Sequence, residues 1–502
     1  MLSTQSRSVG VSLRSVLPAA QFPDRSDVLV RSCSSDPERC QKGDLFVAQL
    51  TADSDGHDWA DAAVARGATA IVAERHVPAS VPVIIVDDTR EALGCICQAL
   101  AGRPSESLTT IGVTGTSGKT VTSMLIASIL EAAERTVGVT SSVGYSDSLE
   151  QESAPSTTPR APLLANWMGR MLAAGCTDAV IEVSSRALAE RRVAGVMLDA
   201  AVLTNLSREH LSLHGTPENY KAAKRRILTM LKPGGFAVLN ADDHGSREFL
   251  MDLDVPCLTF GLHGEAEITA TVIERHKSEQ TFLVHAGNES IAVCTRMIGD
   301  HHISNCLAAT AVCLTLGIDL ATIARGLEAV DRVPGRLERI ECGQEFGVFV
   351  DSARTSEALA QSLKTVRQVT SGRVICLFGC RAGTDRPTRA MIGRVVERGS
   401  DLPIITCDNP RHEEPLQIAH DILDGFRRAS KAHVLPDRAA AIRWALSQAR
   451  PGDSVLICGK GDRDGQWLSD GRTEHDDREI ACQWLYDDAA SAEAPPRLRI
   501  FR

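Results

Sequence analysis

Gly112-Val113-Thr114-Gly115-Thr116-Ser117-Gly118-Lys119-Thr120 lies between an apolar run, TTIGVTG at 109 to 115, and a helical pattern, VTSMLIASILEAA. That order of residue types suits the holding of phosphate. Glycines let successive backbone N–H groups turn inward and a helix N-terminus adds partial positive charge, while Lys119 neutralises phosphate and Thr120 offers a hydroxyl to Mg²⁺. The strict eight-residue pattern has its first glycine where Val113 stands, so the competing reading is a tight strand-to-helix turn that holds nothing. Gly-Lys-Thr at a strand-to-helix junction favours binding of ATP or GTP.

A phosphate loop alone names no reaction, because many chemistries share it. Glu182 is the leading carboxylate. It sits inside the apolar run AVIEVSS, where a charge requires a metal or a cationic partner; a structural Arg is the competing explanation. His210 follows TNLSRE at a strand end and offers a second metal ligand, although a loop histidine is ordinarily solvated. Lys221 and Lys224 lie in the helical run YKAAKRRIL, where a lysine on a solvated face is the ordinary reading.

These residues need a scaffold that brings strand ends together. Short β-branched runs alternate with helical patterns along the chain, the signature of an α/β protein with parallel sheets covered by helices. DLFVAQL, ATAIVAE and VPVIIVDD, with the helical DWADAAVARG, define a first domain over 1–105, closed by the AGRPSES connection. DAVIEVSS, DAAVLTNL and FAVLNADD supply strands of a second domain, 106–334, and the candidate residues fall at their carboxyl ends. Pro334 and Gly335 break the helical pattern there. A third domain, 335–502, repeats the theme with GVFVDSA, RVICLFGC, LPIITCDN and DSVLICGKG, and ends in an Ala/Pro-rich tail after 487. A length of 502 residues suits three domains of this size.

Composition bounds the partners. A hydrophobic fraction of 43% with 24% charged residues describes a globular chain, neither disordered nor built for a bilayer. A net charge of -10 argues against a broad nucleic-acid surface, so a bound anion must be held locally. The 15 cysteines are odd in number and scattered, as expected of reduced thiols in a cytoplasmic protein. Cys95/Cys97 and Cys376/Cys380 lack a second pair at zinc-ligand spacing and are expected to be buried small hydrophobes. The N-terminal MLSTQSRSVGVSLRS has no signal-peptide core, and no apolar run is long enough for a membrane span.

Taken together, GTSGKT at 115 to 120, STTP at 156 to 159, EVSS at 182 to 185, TNL at 204 to 206 with His210, GTPENYKAAKRRIL at 215 to 228, GRLE at 335 to 338, and DNPR at 408 to 411 with Glu413 resemble the signatures of the ATP-dependent Mur ligases. The resemblance covers most of the chain and points to the branch that adds the third residue of the muramoyl peptide. It implies three domains: an N-terminal one for a UDP-linked substrate, a central phosphate-loop ATPase domain and a Rossmann-like C-terminal domain for the amino acid. The implied chemistry is amide-bond formation, in which ATP phosphorylates a carboxylate of a UDP-muramoyl dipeptide and an amine displaces the phosphate. By position in the motifs, Gly115, Thr116, Ser117, Gly118, Lys119 and Thr120 would hold the nucleotide phosphates, with Arg336 adding charge; Asn305 and Asp351 would meet adenine and ribose. Thr120 and Glu182 would hold one Mg²⁺, and His210 with a carbamylated Lys224 a second; Lys224 is favoured over Lys221 because the motif places its modified lysine four residues after the tyrosine, here Tyr220. Thr157, Thr158, Ser184 and Arg192 would contact the muramoyl substrate, and Asp36 with DGHDW at 55 to 59 its uridine side. Arg389, Asp408, Asn409, Arg411 and Gly459 would receive the amino acid, meso-diaminopimelate being the best fit. A monomer without nucleic-acid or membrane partners is expected.

The sequence departs from the family pattern mainly at polar positions. Arg186 stands where a histidine follows EVSS, Glu209 replaces an aspartate, Arg354 replaces the histidine of a VDYAHTP-like motif, and Glu38 takes an arginine's place in a DSR-like signature. CRAGTDRPTR at 380 to 389 replaces a glycine-rich loop, and Arg463 occupies the position of the acid that meets the far end of diaminopimelate. Two other readings follow from these departures: a catalytically weak nucleotide-binding partner or scaffold, and a ligase for another amino acid or carboxylate.

Overall fold

Each apolar run named above contains a strand. The structure, a computed structural model, describes residues 10–51, 54–206, 214–251 and 253–492; His210 and Glu209 lie outside the described residues. The chain divides into two compact units, Met1–Thr259 with Ala311–Ile318, and Phe260–Thr310 with Asp319–Arg502.

The first unit opens with a small all-parallel sheet in the order Cys33–Ser34, Leu45–Val47, Ala70–Ala73, Val83–Ile85. Both faces of this sheet are apolar. Leu45, Val47, Val72 and Ile84 pack with Ile96 of the helix Thr89–Leu100, while Phe46, Ile71 and Ala73 pack with Ala60 and Ala63 of the opposite helix. Burial on two sides explains why these strands read as continuous hydrophobic runs.

The glycine loop follows the central strand of a larger sheet. Its order within the first unit is Gln151–Glu152, Tyr145–Ser146, Val137–Thr140, Asp178–Glu182, Thr109–Thr114, Leu198–Leu203, Leu231–Asn240. Thr109–Thr114 is parallel to both neighbours, with Val113 opposite Glu182 and Thr114 opposite Leu203. That register ends three strands at one level, which is where an open parallel sheet places its ligands. The helix Lys119–Ala132 turns Val121, Leu125 and Ile129 into the interior, at helical spacing.

The second unit holds a six-stranded sheet ordered Glu338–Arg339, Gly347–Asp351, Ser454–Cys458, Val374–Phe378, Leu402–Ile405, His433–Val434, parallel except at its first strand. Thr355, Asp385 and Asp437 cap the helices Ser356–Val369, Arg386–Gly399 and Arg438–Ser447 by accepting from N–H groups of the first turn. The unit also contains an antiparallel meander, Ile268–Arg275, Gln280–Ala286 and Glu289–Thr295, that the sequence reading does not name. Its middle strand alternates buried and half-buried residues instead of forming a continuous apolar run. All 15 cysteines are free, with Cys97, Cys376 and Cys380 buried and Cys95 partly so.

Candidate active site

The loop after Thr109–Thr114 is shaped by two glycines and by the neighbouring strand end. Gly118 has φ +83 and begins the helix, while Gly115 has φ +153, and a Cβ there would lie 1.8 Å from Thr204 Oγ1. No other residue type fits that approach. Ser117 N–H donates to Asn205 Oδ1 at 2.9 Å and Asn205 Nδ2 donates back to Ser117 O at 3.1 Å, so the side chain of Asn205 clasps the loop. Thr116 N–H donates to Asn205 O at 3.0 Å, and the buried Thr116 hydroxyl meets Tyr220 Oη at 2.9 Å. Lys119 folds back over the loop, its Nζ donating to Gly115 O at 2.9 Å and to Thr116 O at 3.0 Å.

Glu182 is only 2% exposed, and no arginine or lysine pairs with it among the described residues. Its oxygens instead accept from Thr120 Oγ1 at 3.2 and 3.1 Å and from Ser142 N–H at 2.8 Å, and the Thr120 and Ser142 hydroxyls are 2.8 Å apart. The competing explanation, a structural Arg, does not hold in this geometry. One carboxylate and two hydroxyls form an all-oxygen donor set beside a phosphate loop, which suits a hard cation such as Mg²⁺. Ser142 carries no sequence signal, because it arrives from beyond the strand Val137–Thr140 and meets Glu182 only across the sheet.

The structure separates the two candidate lysines. Lys221 is partly exposed and pairs with Glu248 at 2.7 Å, whereas Lys224 is 1% exposed with its Nζ 4.9 Å from the Tyr220 ring centre. His214, one of the buried neighbours, donates or accepts at Ser185 Oγ over 3.1 Å and is held below its ordinary pKa by burial and by the Lys224 charge.

Around the strand end after Glu182, Thr158 ties the STTP and EVSS motifs together. Its hydroxyl donates to Glu182 O at 2.8 Å and accepts from Ser184 N–H at 3.0 Å, while Arg192 Nη1 donates to Thr158 O at 3.0 Å. Thr157 is half-buried next to them. Ser184 caps the short helix that follows, and Arg186 and Arg192 both pair with Glu190, at 2.6 Å each. Asp36 caps a 3₁₀ turn and pairs with Arg39 at 3.4 Å, so a cation one residue after Glu38 serves the half-exposed aspartate. In DGHDW the His57 ring is structural: Nδ1 donates to Asp55 at 2.6 Å and Nε2 accepts from Glu74 N–H at 2.9 Å. The His57 N–H and Arg75 hold the Asp55 carboxyl down at about 2.

In the second unit the strand ends carry the remaining candidates. Asp351 is buried, which pushes its carboxyl up, and it accepts from Ala353 N–H and Leu337 N–H at 2.6 Å each. Gly335 approaches Asp462 so closely that a Cβ would lie 2.1 Å from its nitrogen, and Arg336 pairs with Asp462 at 2.9 Å. Asn305 is buried on the helix Asp300–Thr315. Asp408 is fully buried, with Arg381 Nε at 3.3 Å and Lys460 Nζ at 3.8 Å. Asn409, at φ +53, accepts from Lys460 Nζ and Trp467 N–H at 3.0 Å each. Burial pushes the Lys460 ammonium down to about 8. Gly459 has φ +117, and a Cβ there would lie 3.1 Å from the Asp408 carboxylate. Arg389 is buried and committed to Glu413 at 2.6 Å and Asp421 at 2.9 Å, whereas Arg411 is exposed and has no ion pair among the described residues. Arg381 and Lys460 were not among the sequence candidates; only the departure of CRAGTDRPTR from a glycine-rich loop pointed towards the first.

A parallel sheet, a glycine loop opening a helix, and a buried carboxylate on the loop's threonine define a phosphate-loop nucleotide-binding protein. Residues 31–100 match the family described as "Mur ligase family, catalytic domain", 113–313 "Mur ligase middle domain" and 335–461 "Mur ligase, glutamate ligase domain"; the chain belongs to the Mur ligase family. It is 38% identical over 453 residues to the UDP-N-acetylmuramoyl-L-alanyl-D-glutamate–2,6-diaminopimelate ligase of Geobacillus thermodenitrificans, covering 89% of this chain and 93% of that protein. A protein of the same name from Solibacter usitatus is 38% identical over 484 residues, 95% of this chain and 98% of its own length. A solved structure with that name superposes with a TM-score of 0.69 at 28% identity, covering 96% of this chain and 99% of the other. Among the described residues, no helix is long and apolar enough to cross a membrane.

Proposed function

We propose that this chain is an ATP-dependent ligase that joins 2,6-diaminopimelate, as third residue, to UDP-N-acetylmuramoyl-L-alanyl-D-glutamate in the cytoplasm, with segments 1–105, 106–334 and 335–502 serving the UDP substrate, ATP and the amino acid. The observation that carries this reading is the buried contact of Thr120 with Glu182 and Ser142 beside the glycine loop. The names of the relatives, matched along nearly their whole length, supply the substrates.

A carboxylate is a poor electrophile until it carries a leaving group. Phosphoryl transfer from ATP to the muramoyl peptide's carboxylate creates an acyl phosphate and ADP; the amine attacks its carbonyl carbon, the C–N bond forms, phosphate leaves with the C–O bond's electrons, and the nitrogen releases a proton to phosphate or solvent. Little covalent work falls to the protein, so positioning and charge dominate. Lys119 turns from its loop carbonyls to the nucleotide phosphates at the helix N-terminus that Gly118 opens, while Gly115, Thr116 and Ser117 shape the loop, the last two through the bonds their N–H groups make to Asn205. Thr120 and Glu182 would hold Mg²⁺, and His210 with Lys224 as its carbamate would hold a second; when bound, the cations neutralise charge on the transferring phosphoryl oxygens. Lys224 suits this role better than Lys221 because it is buried within the first unit, whereas Lys221 is partly exposed and taken up by Glu248. Arg336 would add positive charge, and Asn305 and Asp351 would take adenine and ribose. Thr157, Thr158, Ser184 and Arg192 orient the muramoyl dipeptide, with Asp36 at the uridine side, while Asp408, Asn409, Arg411 and Gly459 receive the amino acid and Arg389 braces that wall.

Purified protein given ATP, Mg²⁺, UDP-muramoyl dipeptide and diaminopimelate should release phosphate and yield a UDP-muramoyl tripeptide by mass spectrometry. Nucleotide binding without phosphate release under any amino acid would replace the ligase by the scaffold reading.

A further inference from the structure

Two thiols from segments 64 positions apart meet inside the first unit, where Cys33 Sγ lies 3.7 Å from Cys97 Sγ. Cys33 is partly exposed on the two-residue strand Cys33–Ser34, at one edge of the small parallel sheet, whereas Cys97 is buried on the helix Thr89–Leu100. A disulfide bond is about 2 Å long, so the sulfurs need to close by roughly 1.7 Å for one to form. The pair is chemically unequal. The Cys97 thiol beside it holds Cys33 below the ordinary thiol range, against burial and the Asp44 charge, while Cys97 is pushed up by Cys33 and by burial. Cys33 is therefore the attacking thiolate, within reach of solvent, and Cys97 the thiol that resolves it. Two other cysteine pairs do not combine these properties. Cys376 and Cys458 are fully buried on neighbouring strands, away from a dissolved oxidant, and Cys482 beside Cys342 is pushed up to about 11 by burial and by that neighbour.

The helix is the fixed partner of the two. Its capping Asp88 and its Glu91 pair with Arg191 at 3.6 and 3.4 Å, Gln98 Nε2 approaches Met168 Sδ at 3.7 Å, and Cys97 packs in one apolar cluster with Ile96 and Ala165. The strand is held less firmly. It pairs with one neighbour, Leu45–Val47, and leads at once into Asp36: Ser34 Oγ donates to Asp36 O at 2.8 Å and accepts from Asp36 N–H at 3.1 Å. Closing the sulfurs displaces this strand and, through Ser34, the turn Pro37–Arg39 that Asp36 caps.

We propose that Cys33 and Cys97 are a reversible redox pair whose disulfide draws the Cys33–Ser34 strand towards the helix and withdraws Asp36 from the muramoyl substrate. This inference rests on the reading above in giving Asp36 to the uridine side. The oxidant class is a peroxide. The Cys33 thiolate attacks one peroxide oxygen, the S–O bond forms as the O–O bond breaks, and the departing hydroxide takes up a proton to become water. Cys97 sulfur then attacks the sulfenic sulfur of Cys33; the S–S bond forms, the S–O bond breaks, and the leaving hydroxide takes the Cys97 proton as a second water. Two thiols are oxidised and one peroxide is reduced to two waters. A reducing dithiol reverses the bond by exchange.

Hydrogen peroxide is the probe. The full chain is treated with it, the remaining thiols are alkylated in denaturant, and peptides are mapped by mass spectrometry before and after dithiothreitol; phosphate release is measured on the same samples with each substrate varied. The expected result is a dithiothreitol-sensitive Cys33–Cys97 linkage, a KM for UDP-muramoyl dipeptide raised at least about tenfold, and a KM for ATP within about twofold of the reduced protein's. Cys33→Ala, at a partly exposed position, should turn over like the parent and keep its KM in peroxide. Cys97→Ala should instead accumulate a Cys33 sulfenic acid that dimedone traps. Absence of the Cys33–Cys97 linkage, or a linkage that leaves the KM for UDP-muramoyl dipeptide unchanged, overturns the inference and leaves the ligase reading standing. The linkage forming in a protein that releases no phosphate with any amino acid removes the ligase reading and retains the redox pair.

Discussion

Replacing Thr120 by Val tests the link between the glycine loop and Glu182, because it keeps the shape of the side chain and deletes one oxygen. In the folded protein that oxygen lies 3.2 and 3.1 Å from the two Glu182 oxygens and 2.8 Å from Ser142 Oγ. A hydrogen bond to a charged acceptor contributes about 1.5–3 kcal/mol, and the Ser142 N–H still serves Glu182 in the variant, so the expected loss is about 2 kcal/mol. At about 2–4 °C per kcal/mol for a unit of a few hundred residues, melting should fall by about 4–8 °C. Turnover should fall further than stability implies. Loss of one preorganised group at a transferring phosphoryl is worth about 10²–10³ in kcat, and the variant should require more Mg²⁺. The assay is phosphate release at saturating ATP across a Mg²⁺ titration, run beside Thr120→Ser, which restores the hydroxyl and should recover most of the rate. Thr120→Val turning over within about threefold of the parent at every Mg²⁺ concentration, or Thr120→Ser damaged equally, would refute the role of this hydroxyl.

Gly115→Ala should destabilise the first unit by about 1–3 kcal/mol through backbone strain, with nucleotide affinity down more than about tenfold; the Cβ would overlap Thr204, and unchanged nucleotide titration would disprove the tight approach. Lys224→Ala should be nearly inactive and regain part of its rate with a short-chain carboxylate, whereas full activity without rescue would end the carbamate role. Asp55 has a folded-state pKa of about 2, below its unfolded value, so its contribution is present above about pH 4 and is lost as pH falls towards 2. Asp55→Asn should therefore flatten acid unfolding in that window, and parallel acid limbs in the two proteins would contradict this. Arg438 and Asp477 form a fully buried pair, with contacts at 2.8 and 2.7 Å; Arg438→Met should cost about 3–5 kcal/mol by leaving a buried charge, and Arg438→Met with Asp477→Leu should recover much of it. A double variant no better than the single one in denaturant titration would count against that account.

The parts of this site that were legible in the sequence are those where local pattern and burial conflict or agree within a few residues. Gly115 to Thr120 announces its loop because strand, glycines and helix are contiguous, and Glu182 stands out because a charge interrupts an apolar strand. Thr120 as a neighbour of Glu182 was legible only through the family resemblance, and Ser142 was not legible at all, since it reaches Glu182 only through the order of neighbouring strands. The clasp of Asn205 on Ser117 spans 88 positions along the chain and depends on two strands ending at the same level. Likewise, nothing local to TDRPTR shows that Arg389 turns to Glu413 and Asp421 while Arg381 turns to Asp408. The meander at 268–295 escaped notice because alternating burial gives a weaker signal than a run buried on both sides.

Lys119 resting on the carbonyls of Gly115 and Thr116 has a consequence for the pace of nucleotide exchange. A lysine directed into empty solvent would grip any diphosphate without a competing interaction and release it slowly. Under the proposed function, departing ADP would be replaced by two acceptors of the loop itself, so dissociation would end in a satisfied state. At about 0.5–1.5 kcal/mol net for each hydrogen bond, this competition would weaken nucleotide holding by about one to two orders of magnitude and speed product escape in proportion. The loop would then act as its own displacing ligand.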